Sequence, residues 1–143
     1  MKTYSQKPAE VTRKWYVLDA SQASMGRLAT VAASLLIGKG KPTVTAHVDG
    51  GDYVIVINAS QLVVTGRKAS DKMYHNHSGY PGGLRSRSLA EVKPTEALYT
   101  AIRGMLPVNK LRDGRLARLK IYSDDQHNHN AQKPEVYELK GKA

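Results

Sequence analysis

The chain has 143 residues, of which 41 % are hydrophobic, and sets 22 lysines and arginines against 12 aspartates and glutamates for a formal charge of +10. That is apolar material for one packed core, and the excess of cations points to a polyanion as partner: nucleic acid, acidic lipid or acidic protein. There is no cysteine, which excludes disulfide frameworks, thiol nucleophiles, cysteine-held zinc and iron–sulfur clusters.

A single domain is expected, with an arm at 1–14, an α/β core at 15–123 and a polar tail at 124–143. The arm mixes Lys2, Lys7, Arg13 and Lys14 with Pro8 and lacks the apolar stretch of a secretory signal. The longest apolar-rich segment, 31–37, falls far short of the ~20 residues that span a bilayer. Trp15-Tyr16-Val17-Leu18 is continuously apolar and β-prone, the pattern of a strand covered on both faces. Met25, Leu28, Ala32, Leu35 and Leu36 recur at helical spacing, with Ser24 placed to cap the helix and Gly38 to end it. Tyr53-Val54-Ile55-Val56-Ile57 is the most hydrophobic run and predicts a central strand. Strand, helix, strand in that order implies a right-handed parallel crossover.

Shorter strands are expected at 62–65 and 72–77 as extensions of the same sheet, separated by the basic turn Gly66-Arg67-Lys68. Ser78-Gly79-Tyr80-Pro81-Gly82-Gly83 is too rich in breakers for a regular element and reads as a loop. Two helices should follow. Ser88-Leu89-Ala90-Glu91 has capping-box spacing, and Pro94 opens a stripe of Leu98, Ala101, Ile102 and Met105 that stops before Pro107. A short basic helix at 110–118, with Leu111, Leu116 and Leu119 toward the core, leads to a last strand at 120–122 and an irregular tail.

The charge is not evenly spread. Between Arg67 and Arg87 the bases are Arg67, Lys68, Lys72, Arg85 and Arg87 against the lone acid Asp71, a net +4. Between Arg103 and Lys120 they are Arg103, Lys110, Arg112, Arg115, Arg118 and Lys120 against Asp113, a net +5. Any one such residue is ordinarily a solvated surface group, but two clusters are the footprint of a nucleic-acid-binding surface. On a helix Arg112, Arg115 and Arg118 would drift slowly round one side and meet successive phosphates. Gly79, Gly82 and Gly83 beside arginines allow the backbone to approach a phosphate and offer its N–H groups. A membrane-surface helix would pair its basic face with bulky apolar residues; the chain has no Phe, and its only Trp lies in a strand. RNA fits better than DNA, since no helix-turn-helix, zinc finger or basic zipper is evident, and Tyr80 in its glycine loop can lie against a base or ribose.

Two His-Asn-His tripeptides, His75-Asn76-His77 and His127-Asn128-His129, suggest a metal centre at first sight. No carboxylate stands at a helical ligand spacing to complete either one. Hydrogen bonding of His75 and His77 to phosphate or backbone accounts for them with less machinery, and no metal or other cofactor is expected. Gly38-Lys39-Gly40-Lys41 has the composition of a phosphate loop but follows a helix instead of opening one. After the first strand the sequence holds only Gly26 where a dinucleotide fingerprint needs three spaced glycines. Gly26-Arg27 near a helix start retains the capacity to bind one phosphate. Neither a nucleophile–base pair nor a close carboxylate pair follows from spacing, so no small-molecule substrate and no catalytic residue is assigned.

The strings WYVLDA, MGRLAT, HVDGGDYVIVINA, VTGRKASDKMYHNHSGYPGG, IRGMLP, RLKIY and HNHNAQKPE, in this order and spacing, closely resemble the family of ribosomal protein thirteen of the bacterial large subunit, over about 15–135. The resemblance implies a three-layer α/β/α fold around a mainly parallel sheet of about four strands. It also implies a cytoplasmic, non-catalytic component of the large ribosomal subunit that binds ribosomal RNA, touches neighbouring ribosomal proteins and takes part early in assembly. The chain departs from the family after Met105-Leu106-Pro107, where a Leu-Gly-Arg step is usual and Leu111-Arg112-Asp113 stands instead; the phosphate contact made there would pass to Arg112 or Arg115. The residues expected to meet phosphate or ribose are Arg67, Lys68, Lys72, His75, His77, Tyr80, Arg85, Arg87, Lys110, Arg112, Arg115 and Arg118, with Gly79, Gly82 and Gly83 giving close approach. An RNA-modifying or RNA-cleaving enzyme using the histidines, and a regulator binding messenger RNA outside the ribosome, are the alternatives.

Overall fold

The computed structural model describes residues 2–139. In chain order its elements are β1 (Trp15–Asp19), α1 (Met25–Ile37), β2 (Tyr53–Ile57), the single turn α2 (Lys68–Asp71), β3 (Met73–His77), β4 (Leu84–Ser88), α3 (Pro94–Met105), α4 (Leu111–Ala117), β5 (Leu119–Ile121) and β6 (Glu135–Val136). Four of the strands form a wholly parallel sheet in the order β5-β2-β1-β6, with helices packed around it. The α/β class and the three-layer plan implied by the resemblance therefore hold.

The two faces of the sheet follow from alternation along its apolar strands. Leu18, Val54, Val56 and Leu119 point to one side, where Leu28, Ala29, Ala32, Leu36, Leu98 and Ile102 of α1 and α3 meet them in the main core. Leu18, Leu28, Leu36, Leu98 and Ile102 are fully buried, each such side chain contributing on the order of 1.5–3 kcal/mol of transfer free energy. The other side carries Trp15 stacked on Tyr53 at 4.1 Å. Val17 and Ile55 on this side are buried as well, and His129 of the C-terminal segment lies against Trp15 at 5.1 Å, its Nε2 sharing a 2.7 Å hydrogen bond with the Tyr122 hydroxyl. Burial, together with His127 and Lys120, holds the His129 imidazole below its ordinary pKa, so it packs there neutral.

Helix α1 ends as the sequence predicts, Gly38 adopting φ +84° while the N–H groups of Gly38 and Lys39 both reach the Ser34 carbonyl. Its start differs. Ser24 stands at the cap position but its hydroxyl makes no capping bond; the Met25 N–H donates to the Val63 carbonyl instead. The expected strand at 62–65 is only that single bridge between Ser24 and Val63, preceded by a 3-10 turn at Ala59–Gln61.

Three further expectations are corrected. The strand expected at 72–77 does not extend the main sheet; β3 pairs antiparallel with β4, a strand not expected between the glycine loop and the capping-box segment, as a separate two-stranded hairpin. The capping-box segment forms no helix: the Glu91 carboxylate accepts the Ser88 N–H at 3.1 Å, but the segment stays a turn that buries Leu89 and Val92 with Ala97 in a small second cluster. The tail is not wholly irregular, because β6 joins the sheet edge beside β1, followed by the Tyr137 N–H donating to the Val17 carbonyl.

Candidate nucleic-acid interface

The hairpin of β3 and β4 displays its charge by simple cross-strand geometry. Residues directly opposite in an antiparallel pair share a face, and the register places Tyr74 against Arg87 and Asn76 against Arg85. Lys72 lies on the same side, its Nζ 5.9 Å from the centre of the Tyr74 ring. The opposite side carries Met73, His75, His77, Leu84 and Ser86. The hairpin thus carries its lysine and arginines on one face and none on the other. Tyr74, Asn76, Arg85 and Arg87, together with His75 and Ser86 of the opposite side, line an open groove of about 570 Å³.

At the tip, the six-residue loop closes through the Ser78 N–H on the Gly83 carbonyl and the Gly83 N–H on the Tyr80 carbonyl. Gly79 and Gly82 take φ of +89° and +72° with open space where a Cβ would stand, so their backbones are accessible. Gly83 serves the turn itself, since a Cβ there would lie 2.0 Å from Ser78 Oγ. Tyr80 is 76 % exposed. The histidines are engaged locally: His75 Nδ1 shares a 2.7 Å hydrogen bond with Ser86 Oγ, and His77 Nδ1 accepts the Gly79 N–H at 2.9 Å. Arg67 and Lys68, at the start of α2, are exposed, as are Lys72, Arg85 and Arg87.

An exposed ion pair joins this hairpin to α3, Arg87 Nη2 standing 3.1 Å from Glu96 Oε1. Glu96, Tyr99 and Arg103 are exposed residues at helical spacing on one face of α3, so Arg103 lies about two turns, roughly 10 Å, along the helix from that pair. The two basic segments approach each other here. Arg103 was counted in the sequence charge but not selected as a contact; its spacing from Glu96 and Tyr99 was the available signal.

The second segment is otherwise divided. Lys110 is exposed and Arg112 half-buried, but Arg115 and Arg118 are 3 % and 7 % exposed. The expectation that Arg112, Arg115 and Arg118 share one outward side is overturned. Arg118 grips the Asp49 carboxylate with both terminal nitrogens and donates to the Leu36 carbonyl at 2.7 Å. Arg115 Nε lies 3.7 Å from Asp49 Oδ1. A guanidinium buried without an anion would be prohibitively costly, so the fold brings Asp49 to it. Gly51 makes that possible, for a Cβ at this position would fall 1.7 Å from the Leu36 carbonyl oxygen. Burial alone would raise the Asp49 carboxyl, but the Arg118 hydrogen bonds and charge outweigh it and hold the group below its ordinary 3.8.

Neighbouring charges knit the same end of the molecule. Arg13 donates to the Gly51 and Asp49 carbonyls at 2.6 and 3.0 Å, and Lys41 pairs with Asp52 at 2.8 Å. These cations fasten the arm and the 38–52 connection to the core. Among the described residues, no group of three or more histidines and acids gathers as a metal-ligand set.

The family model for ribosomal protein L13 matches residues 13–128. The chain is 54 % identical over 144 aligned residues to the large ribosomal subunit protein uL13 of Syntrophomonas wolfei, covering 99 % of this chain and 100 % of that protein. Against the protein of the same name from Listeria innocua it is 52 % identical, covering 97 % of this chain and 98 % of the relative. Against that from Halorhodospira halophila it is 51 % identical, covering 97 % and 100 %.

Proposed function

The chain belongs to the ribosomal protein L13 family, and from that premise we propose that it works as a structural, non-enzymatic constituent of the large ribosomal subunit whose cationic hairpin grips ribosomal RNA. The single observation that carries the reading is the one-sided charge of the hairpin, with Lys72, Arg85 and Arg87 on one face. Arg67 and Lys68 extend that surface at its base, Arg103 and Lys110 continue it beyond α3, and Tyr80 with the Gly79 and Gly82 backbones offers a ribose or base contact at the tip. His75 and His77 lie on the opposite side of the hairpin and Gly83 shapes its turn, so they support the strand pair that carries this surface; the half-buried Arg112 stays a lesser candidate on α4. Such contacts neutralise phosphates and release counterions, which makes affinity fall steeply with salt. The chain acts as one domain, and neighbouring ribosomal proteins are its further partners, met early in assembly.

The test is titration of a large-subunit ribosomal RNA fragment at several salt concentrations. Changing Arg85 and Arg87 together to Ala should weaken binding and flatten the plot of log affinity against log salt by roughly 1.4–1.8 units, as each lost phosphate contact removes about 0.7–0.9. Thermal stability should stay within about 0.5 kcal/mol, as for other surface substitutions. An unchanged slope would contradict the reading.

A further inference from the structure

Half of the polar side chains of the two strands are already engaged: His75 with Ser86, His77 on the Gly79 N–H, Arg87 on Glu96. The Asn76 amide and the Arg85 guanidinium are not, among the described residues. They stand directly opposite one another on the cationic face and line the same groove. Beside them Tyr74 is half-buried, its ring supported from below by Leu89, Val92 and Ala97, which raises its hydroxyl above the ordinary pKa through burial and keeps it neutral. The groove therefore has an aromatic wall, a free guanidinium, and one planar group presenting a donor and an acceptor together. Its volume of about 570 Å³ falls in the range of ~300–1,000 Å³ that holds a small molecule.

We propose that this groove seats a single unpaired adenine nucleotide of the bound RNA, with the Asn76 amide reading the base edge and Arg85 holding its phosphate. The proposal rests on the RNA-binding reading above and names what that surface recognises. An asparagine amide matches adenine with its N–H2 on N7 and its carbonyl on the N6 amine, a bidentate fit. A side chain this short cannot reach base edges at the bottom of the deep, narrow major groove of an A-form helix, so the base must be splayed out of its stack. Phosphate contacts elsewhere on the hairpin would fix register without reading sequence; Asn76 is the position at which this face can discriminate.

The full chain is titrated against two short RNA stem-loops that differ only in one bulged adenosine, over several salt concentrations. The wild-type protein should bind the bulged RNA about tenfold more tightly or better. Asn76→Ala should erase that preference while leaving the salt slope and the melting temperature unchanged. Arg85→Ala should weaken both complexes and lower the slope by about one unit. Equal affinity of the wild-type chain for the two RNAs, or an unchanged preference in Asn76→Ala, would overturn the nucleotide seat while salt-dependent binding left the broader reading standing. Loss of salt-dependent binding to either RNA would overturn both.

Discussion

Arg85 and Arg87 in β4 and Arg115 and Arg118 in and after α4 look alike in sequence, two basic pairs in basic surroundings, yet they have opposite fates. The first pair is exposed on a hairpin that meets the body of the molecule mainly through Tyr74, the Arg87–Glu96 pair and the turn that follows. The second is buried and spent on Asp49 and on the Leu36 carbonyl. What separates them is the supply of acid. The hairpin has only Asp71 within its own segment, whereas the 38–52 connection carries Asp49 and Asp52 on a glycine pair that lets it lie against α1. Net charge thus overstates any interface: part of the +10 faces outward, where RNA binding is proposed, and part is internal fastening.

The sharpest way to break this contrast is to remove the acid. Asp49→Ala should destabilise the fold by about 3 kcal/mol in urea unfolding, the lower end for a broken buried pair because Arg118 keeps its carbonyl partners, with little change in the salt slope of RNA binding. A loss of RNA affinity at unchanged stability would mean that Arg115 and Arg118 are functional after all. The same residue sets an acid limit. Its folded pKa lies below the ordinary 3.8, so its contribution is complete above that value and is lost as pH falls through the lower folded one; Asp49→Asn should flatten the dependence of stability on pH below 3.8.

Next in size, Gly83→Ala drives a methyl group into Ser78 Oγ and should cost about 1–3 kcal/mol locally. Amide exchange in β3 and β4 should quicken while β1 and β2 keep their protection, since the hairpin forms its own sheet. Equal loss of protection in both sheets would show the hairpin to be part of one cooperative unit. The smallest effect is expected from Glu96→Ala, which frees Arg87. Stability should change by less than about 1 kcal/mol, as for exposed pairs, and RNA affinity at low salt should rise slightly.

The parts of the fold legible in sequence were those with strong periodicity. β1 and β2 are uninterrupted apolar runs, α1 and α3 carry clear stripes, and Gly38 and Pro94 mark boundaries where they were read. β4 was missed because Leu84-Arg85-Ser86-Arg87-Ser88 has no buried apolar face to give it a period. β6 was missed because two residues in a polar tail are paired only through backbone. For the interface, the hairpin cations were legible as charge, and the resemblance to the family supplied the partner. The burial of Arg115 and Arg118 was not, because it depends on Asp49, a residue 66 positions earlier than Arg115 in the chain; the acid-flanked glycine pair at 49–52 was the only local hint. Asn76 was passed over as the middle of a histidine tripeptide.

Lysine labelling tests the division most directly, because it reports hairpin and internal cations in one experiment. Acetylation of the full chain, with and without large-subunit ribosomal RNA, should show strong protection of Lys68 and Lys72 on RNA binding and no change at Lys41, which is already paired with Asp52. Undiminished reactivity of Lys68 and Lys72 in the saturated complex would contradict the assignment of the hairpin as the RNA-gripping surface.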